Sequence, residues 1–276
     1  MVMIDRRMPY AAGLFYLGYE EGLRRDVKKL IAAGSTKGER VRALGLVVPH
    51  AGYEYSGPEA GAVYGRIEPA AKYIIIGPNH SGFGFPVSTD DSAVWKTPLG
   101  DAAVDKDMVE ELIAAEPEIK ISRDAHRLEH SIEVQLPFLQ VLTDNDFAFA
   151  PIAMQGLADA DEYRRVGLAL AAVVEGSAED VIIVASSDFT HYEPRDYAAK
   201  MDRLAIDAIL ARDPERLLRT VYENDITMCG YGPVATMLYA VNELGATKAE
   251  LIMYGSSADF SRDESSVVGY GGLVII

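Results

Sequence analysis

Three of the five histidines in this chain closely follow short apolar segments. They are His50, His80 and His191, which come after the segments 43–48, 73–76 and 181–185, respectively. Apolar segments of this length predict buried parallel strands, and the carboxyl ends of such strands meet at one edge of a sheet. Because imidazole is the commonest protein ligand for metals, we predict a shared metal site at this edge. Two alternatives stay open: histidine catalysis without a metal, and three unrelated surface histidines.

Other polar side chains lie in the same turns. Asp188 is three positions before His191 and could orient its imidazole or form a general-base pair with it. The alternative is that Asp188 caps the next turn through backbone N–H groups. Asn79 and Ser187, which lie in the turns after two of the strands, are predicted to line the same pocket.

Cys229 is the only cysteine, so a disulfide within the chain is impossible. It lies beside glycines and just before a helix that we expect to begin at Pro233. A thiol near the amino end of a helix has a lowered pKa, which favours metal binding or nucleophilic attack. The alternative is a buried, inert thiol, which is the commoner state of free cysteine.

The remaining histidines, His126 and His130, enclose Glu129 in the pattern His-x-x-Glu-His. On a helix the two imidazoles would share a face and could hold zinc, with Glu129 as the base. The residues before His126 are typical of a loop, however, and helical periodicity begins only at Ile132. We therefore prefer a supporting or substrate-binding role for His130 and Glu133, which are three positions apart and could face the pocket together.

Short apolar runs rich in β-branched residues alternate with stretches of helical periodicity, which predicts βαβ units around a mostly parallel sheet. The predicted strands are 43–48, 73–76, 147–152, 181–185, 250–253 and 272–276. The predicted helices are 18–33, 58–66, 106–115, 131–142, 160–175, 195–212, 214–224 and 233–244. The stretch 81–101, which carries the only tryptophan, is expected to be an ordered excursion near the site. We predict a single α/β domain over residues 1–276, with helices flanking the central sheet.

The formal net charge of −16 is spread along the chain without a long block of one sign. Such an acidic surface repels phosphate backbones and anionic lipid, so we expect neither nucleic acid nor a membrane as a partner. Residues 1–10 contain no apolar run, and no segment approaches the ~20 apolar residues of a membrane-spanning helix. Together with the single cysteine, these features predict a cytoplasmic protein.

Six motifs follow one another over nearly the whole chain. They are 7–16 (RMPYAAGLFY), 48–53 (VPHAGY), 77–82 (GPNHSG), 97–100 (TPLG), 129–138 (EHSIEVQLPF) and 186–192 (SSDFTHY). Together they resemble the Memo family, named for the human mediator of cell motility. The resemblance implies a fold similar to the type III extradiol ring-cleaving dioxygenases and their LigB-like relatives. It also implies a pocket for one transition-metal ion, with Fe(II) or copper favoured and zinc as an alternative.

Carried over by motif, His50, His80 and Cys229 are the implied metal ligands, and Asp188 and His191 lie in the same pocket as candidate catalytic residues. The dioxygenases use two histidines and a carboxylate, whereas this chain offers a cysteine. A thiolate favours softer metals and can itself be oxidised. Prokaryotic members of the family are often encoded beside a radical-SAM protein, so a protein of such a system is a candidate partner.

The leading hypothesis is therefore a Memo-family metal-binding protein, with a dioxygenase-like oxidoreductase as its enzymatic form. In that form His191 would act as general base, assisted by Asp188. The second hypothesis is a non-catalytic module that uses the same pocket to bind a small-molecule or peptide ligand, a phosphate or a partner protein. The third is a zinc hydrolase built on His126, Glu129 and His130.

Overall fold

Buried strands and their covering helices follow the apolar pattern of the sequence. The computed structural model describes residues 5–35 and 38–276. Residues 1–4, part of the amino-terminal segment considered above, lie outside the described residues. The helices are α1 (Glu20–Gly34), α2 (Tyr53–Arg66), α3 (Lys106–Ala115), α4 (Arg123–Arg127), α5 (Leu136–Leu142), α6 (Ala160–Gly176), α7 (Arg195–Leu210), α8 (Pro214–Glu223), α9 (Tyr231–Glu243) and α10 (Ala258–Ser261). The strands are β1 (Arg6–Arg7), β2 (Gly45–Val48), β3 (Lys72–Pro78), β4 (Val87–Thr89), β5 (Val94–Thr97), β6 (Gly100–Val104), β7 (Ile119–Ile121), β8 (Ala148–Met154), β9 (Val181–Ser186), β10 (His191–Glu193), β11 (Ala249–Ser256) and β12 (Val267–Ile275).

The centre of the sheet is parallel. Its strand order runs β1-β5-β6-β8-β3-β9-β2-β12-β10, and the neighbours from β6 to β2 pair in parallel. Strand β12 then pairs antiparallel with β2, β10 and β11. Helices α2 and α9 both pack on this sheet. Because the central strands are covered on both faces, they consist of continuous apolar residues without polar alternation. This α/β arrangement, with a mostly parallel central sheet and flanking helices, confirms the predicted fold class.

Three neighbouring parallel strands bring the first site residues to one edge. Strand β9 lies between β3 and β2, with Ile76 opposite Ala185 and Val48 opposite Ser186. The residues that follow these three strands therefore emerge side by side at their carboxyl ends. This adjacency places His50, His80 and Asp188 at a common edge.

Several elements differ in detail from the sequence pattern. The helix predicted over 131–142 begins only at Leu136, and a short 3-10 helix at Glu133–Gln135 precedes it. The stretch 81–101, which was expected to be an ordered excursion, contributes β4, β5 and the start of β6 to the sheet. Helix α2 begins at Tyr53 rather than at residue 58, since Pro58 lies inside the helix instead of in its first turn. No helix of the described chain has both the length and the apolar composition needed to cross a bilayer.

Candidate metal centre

A cavity of about 580 Å³ lies at the carboxyl edge of the central strands. Its polar lining consists of four imidazoles, one carboxylate, one thiol and three side chains that carry a hydroxyl group. The lining residues that carry the argument are His50, His80, His130, His191, Asp188, Cys229, Phe15, Tyr192 and Tyr270. The structure thus brings together the three histidines that follow strands in the sequence, together with the fourth from the Glu129 motif.

Hydrogen bonding on one side of the His50 ring fixes its tautomer. Nδ1 of His50 lies 2.9 Å from Oγ of Ser186. That hydroxyl donates its single hydrogen to the carbonyl oxygen of Ser131, at 2.7 Å, and accepts from Nε2 of Gln135, at 2.9 Å. Because Oγ has no further hydrogen to give, Nδ1 of His50 must be the donor. The lone pair on Nε2 is therefore left free on the side of the cavity.

A buried carboxylate orients His80 in the same way. Oε1 of Glu129 accepts from Nδ1 of His80 at 2.9 Å, and Oε2 accepts the backbone N–H of His80 at 2.6 Å. The backbone N–H groups of His130 and Ser131 also donate to this carboxylate, each at 2.9 Å. Burial alone would raise the pKa of Glu129, but the hydrogen bond and charge of His80 outweigh it and lower the pKa to about 2. Glu129 thus holds His80 in place while both carboxylate oxygens already accept hydrogen bonds, and Nε2 of His80 stays available to bind a metal.

Cys229 completes a set of three potential ligands. Its Sγ lies 3.3 Å from Nε2 of His50, and ligand atoms of His50, His80 and Cys229 all lie within 4.8 Å of one another. Ligands at the usual Zn–N and Zn–S distances lie roughly 3.3–3.8 Å apart in a tetrahedral site, so a modest closure would bring this set to bonding distance. The donor set therefore fits a single thiophilic transition-metal ion. A second group, His80, Glu129 and His130, also falls within this limit, but the Glu129 oxygens are already occupied by N–H donors.

The backbone around Cys229 is fitted closely to the end of β9. Gly230 donates its N–H to Oγ of Ser187 at 3.0 Å, and Asp188 donates its N–H to Sγ of Cys229 at 3.3 Å. A Cβ atom at Gly230 would lie 2.4 Å from the carbonyl oxygen of Ser186, so only glycine allows this approach. Ser187 was predicted to line the cavity, but it does not. Its hydroxyl instead accepts the Gly230 N–H and holds the segment of Cys229 in place.

The pKa of the Cys229 thiol is raised well above its ordinary value, first by burial and then by the neighbouring Asp188 carboxylate. This reverses the lowering expected from the helix end alone. Helix α9 does begin just after the cysteine, but desolvation is the larger effect. A coordinating thiol nevertheless loses its proton to a metal ion, so the raised value describes the metal-free chain.

Asp188 is buried and caps the turn that carries His50. Its Oδ1 accepts the His50 backbone N–H at 2.8 Å, and the Ala51 backbone contributes a further hydrogen bond. Burial raises the pKa of Asp188, while the His50 amide and the nearby His191 imidazole oppose the rise. Asp188 thus caps the turn of His50, and not the turn that follows Asp188 in the sequence, as one of the two alternatives had predicted.

His191 is oriented by a carbonyl rather than by Asp188. Its Nδ1 lies 2.9 Å from the carbonyl oxygen of Thr227, and its backbone N–H donates to Oγ1 of Thr227 at 2.7 Å. A carbonyl can only accept, so Nδ1 carries a hydrogen and Nε2 is the ring nitrogen that faces away from Thr227. The predicted role of Asp188 in holding the ring is therefore wrong, whereas its charge acts on the same imidazole.

His130 lies between two rings at the cavity wall. Its imidazole stacks on Phe15, at 4.2 Å between centroids, and on His80, at 4.8 Å. Burial, followed by the proximity of His50, lowers the pKa of His130 to about 4. Burial and then the nearby His80 likewise lower the pKa of His50 well below its usual range. Both imidazoles are thus neutral near pH 7, as metal or substrate binding by a lone pair requires.

Glu133 does not line the cavity beside His130, contrary to the expectation that both face the pocket. Its buried carboxylate pairs with Arg7 and accepts from the backbone N–H groups of Tyr10 and Ala11, each at 2.8 Å, and from the hydroxyl of Tyr16, at 2.6 Å. The reason is that the amino-terminal segment, residues 7–16, packs against the 3-10 turn before α5 that carries Glu133. Glu133 thereby fixes the segment that delivers Phe15 to His130.

Asn79 and His126 also lie outside the cavity lining. Asn79 closes its own loop, since its side chain accepts from Ser81 and Gly82 and donates to the Phe83 carbonyl. His126 is fully buried, and its Nε2 bonds the carbonyl of Ser88 at 3.1 Å.

The ring of His126 packs against Trp95, with 5.4 Å between centroids. Within the described chain it belongs to no group of metal-capable side chains. The structure therefore does not bring His126 together with Glu129 and His130 as the zinc site requires, because the His126 ring is held by Ser88 and Trp95.

Sequence reasoning missed the groups that orient the imidazoles. Ser186, Gln135 and Thr227 have types that are ordinary at strand ends, helices and loops, and no local pattern marks them. Glu129 was noted only as a zinc-site base. Its position directly before His130 gave a signal for a role in the site, but not for its bonds to His80.

The carboxyl edge of a parallel α/β sheet is where proteins of this architecture commonly place their ligands, and in this chain that edge carries a histidine–cysteine pocket. Residues 7–274 match the family described as Memo-like protein. The chain belongs to the Memo family, which confirms the resemblance seen in its motifs.

Similar proteins share both length and sequence with this chain. It is 44% identical over 269 residues to a MEMO1 family protein of Methanococcoides burtonii, with 98% of this chain and 99% of that protein covered. It is 41% identical over 269 residues to a MEMO1 family protein of Methanosarcina barkeri, with the same coverage of 98% and 99%. Among solved structures, an uncharacterized protein from Escherichia coli K12 matches with a TM-score of 0.57 and 14% identity, covering 84% of this chain and 100% of that one. At this identity the structural match supports the fold alone.

Proposed function

We propose that this Memo-family protein binds one transition-metal ion through Nε2 of His50, Nε2 of His80 and Sγ of Cys229. The observation that carries the proposal is the pair of Nδ1 acceptors, Ser186 and Glu129, which leave both Nε2 lone pairs free beside the thiol. Metal-binding histidines are commonly held in this way by a bond on the other ring nitrogen. The thiolate favours iron or copper in a reduced state, with zinc as the alternative.

We propose further that the metal-bound protein is an oxidoreductase that acts on a ligand in the same cavity. When bound, an iron or copper ion supplies redox chemistry and open coordination positions. His191 would take a proton at Nε2, because Thr227 fixes the opposite nitrogen as the hydrogen-bearing one. The Asp188 carboxylate would stabilise the resulting imidazolium. Neutral His130, held by Phe15, would bound the ligand on the other side.

Anaerobic titration with Fe(II), Cu(I) and Zn(II) tests the ligand assignment. We expect one ion per chain in the wild type and loss of tight binding in the double variant His50→Ala, His80→Ala. His191→Ala is the matched control, since it removes a cavity imidazole that is not assigned as a ligand. Equal stoichiometry in the wild type and the double variant would contradict the assignment.

Oxygen uptake separates an enzyme from a binding module. With metal-loaded protein and a panel of candidate substrates, the oxidoreductase form predicts oxygen consumption that His191→Ala reduces while metal content stays unchanged. General-base removal commonly costs 10²–10⁴-fold in rate. Ligand binding without oxygen uptake, equal in both proteins, would instead support the non-catalytic module.

A further inference from the structure

Tyr192 has a backbone conformation that its side chain disfavours. Its φ is +62°, in the left-handed region where a bulky L-residue is an outlier. The other described non-glycine residues with positive φ are acidic, amide or basic: Asp144, Asn145, Arg212, Asp225 and Arg262. Tyr192 is thus the aromatic exception among the described residues. Strain of this kind persists only where the surroundings hold it, and it concentrates at functional sites.

Folding gains little from the Tyr192 ring. The side chain is 78% exposed, and its hydroxyl has no hydrogen-bond partner in the described chain. Its ring contact is with the adjacent His191, at 5.7 Å between centroids. Neither burial nor hydrogen bonding therefore compensates for the strained backbone.

The strain explains how two consecutive side chains reach one cavity. In a regular strand, successive side chains point to opposite faces. Here the pairing of β10 with β12 shifts register between His191 and Glu193, and both His191 and Tyr192 line the cavity. A bulge re-aims side chains in this way. Thr227 holds His191 by two bonds, so the left-handed turn serves to present Tyr192.

The other residues that line the cavity indicate which kind of ligand the Tyr192 ring would contact. Phe15 and Tyr270 contribute two more aromatic side chains to the lining, beside stacked His130 and His80. No lysine or arginine lines the cavity in the described chain, and the Asp188 carboxylate is buried in its wall. These groups disfavour a phosphate or other strong anion. Aromatic faces instead favour a flat ligand, which they contact in offset or edge-to-face stacking.

We propose that Tyr192 is a specificity-determining residue that covers the mouth of the cavity and stacks on a planar, unsaturated ligand. The position of that ligand, beside His50, His80 and Cys229, rests on the proposed function. The fold maintains the strained residue because its ring contacts the ligand.

Two variants and one control separate strain from ligand contact. Tyr192→Gly removes both the ring and the strain, and Tyr192→Phe removes only the hydroxyl. Arg262→Gly is the matched control, because Arg262 has a similar φ of +65° and is exposed outside the cavity lining. Thermal unfolding is measured for the metal-free proteins. Binding of 4-nitrocatechol, a planar ligand with two metal-binding oxygens, is followed by visible absorption of the Zn(II)-loaded proteins. Acetohydroxamate, which offers two oxygens without a ring, is the matched probe.

We expect Tyr192→Gly and Arg262→Gly both to unfold at or above the wild-type temperature. Tyr192→Gly should bind 4-nitrocatechol roughly three- to tenfold more weakly, the range of an aromatic contact, and acetohydroxamate within twofold of the wild type. Tyr192→Phe and Arg262→Gly should bind both probes as the wild type does.

Three results would overturn the inference. A lower unfolding temperature for Tyr192→Gly would show that the ring packs in the fold. Unchanged 4-nitrocatechol binding would show that the ring does not reach the ligand, and equal weakening for both probes would show that it does not recognise planarity. Failure of the protein to take up metal would instead count against the proposed function. The comparison of unfolding temperatures uses metal-free proteins, so it would still test the strain at Tyr192.

Discussion

The three imidazoles proposed to bind the metal or take the proton are each oriented by a hydrogen-bond acceptor on Nδ1, the ring nitrogen away from the reacting one. Ser186 accepts from His50, Glu129 accepts from His80, and the Thr227 carbonyl accepts from His191. The chemistry of the site therefore depends on residues that do not touch the ligand. Such outer partners typically affect metal affinity by 10- to 100-fold.

Two buried glutamates four positions apart allow this dependence to be measured. Glu129→Gln should weaken metal binding about 10- to 100-fold, because the amide loses the charge and part of the acceptor capacity that orient His80. Glu133→Gln is the matched control, since that carboxylate is equally buried but bonds Arg7 and the amino-terminal segment. Competition with a chromophoric chelator gives both affinities. Equal losses in the two variants would indicate a general effect of destabilisation instead of orientation.

His126 should make the fold sensitive to acid. Burial is the main cause that lowers its pKa from 6.5 to about 4, so the unfolded chain binds a proton there that the folded chain excludes. This contribution to stability is complete above pH 6.5 and is lost as the pH falls from about 6.5 to about 4. It amounts to at most about 3 kcal/mol.

His126→Gln tests that dependence, because its amide can still donate to the Ser88 carbonyl without titrating. Urea unfolding at pH 7.5 and pH 5 should show a smaller loss of stability in the variant than in the wild type. The same loss in both proteins would assign the acid sensitivity to other groups.

At the scale of elements, the amino-terminal segment acts as a wall of the cavity. Residues 7–16 are held to the turn before α5 by the Glu133 carboxylate, and they place Phe15 against His130. The pairing of Arg7 with Glu133 is buried, and the guanidinium also donates to the carbonyls of His126 and Glu129. A buried charge left without its partner is costly.

Two adjacent arginines allow the buried ion pair to be compared with an exposed one. Arg7→Ala should cost about 3–5 kcal/mol, because it leaves the Glu133 carboxylate buried without its cation. Arg6→Ala removes an exposed pair with Asp101 and should cost less than about 1 kcal/mol. Hydrogen exchange should show faster exchange at the Tyr10 and Ala11 amides in Arg7→Ala alone. Unchanged protection there would show that the segment is held by other contacts.

The sequence was most informative where a single strand and the turn after it determine the position of a site residue. Burial on both faces requires continuous apolar runs, so β2, β3 and β9 and the histidines after them could be recognised locally. Interaction partners that lie far apart along the chain could not be recognised in this way. Glu133 resembled a pocket residue because its spacing from His130 was the only available guide, whereas its actual partner Arg7 lies 126 positions away. Thr227 likewise gave no signal, since a backbone carbonyl orients His191.

At the scale of the whole molecule, one continuous sheet links the cavity to the rest of the chain. The expectation of a single domain stays a prediction with a direct test. Calorimetry should show one unfolding transition, with calorimetric and van't Hoff enthalpies nearly equal. Two separable transitions would contradict it. The cytoplasmic location and a partner from a radical-SAM system also stay predictions.

The most direct test of the central claim is X-ray absorption at the metal edge of protein purified and loaded without air. The account predicts one ion per chain, with imidazole nitrogen ligands at about 2.0 Å and one sulfur at about 2.3 Å. The sulfur signal should disappear in Cys229→Ser, and the imidazole signal should weaken in His80→Ala. A spectrum with oxygen ligands alone, or one unchanged in both variants, would contradict the account.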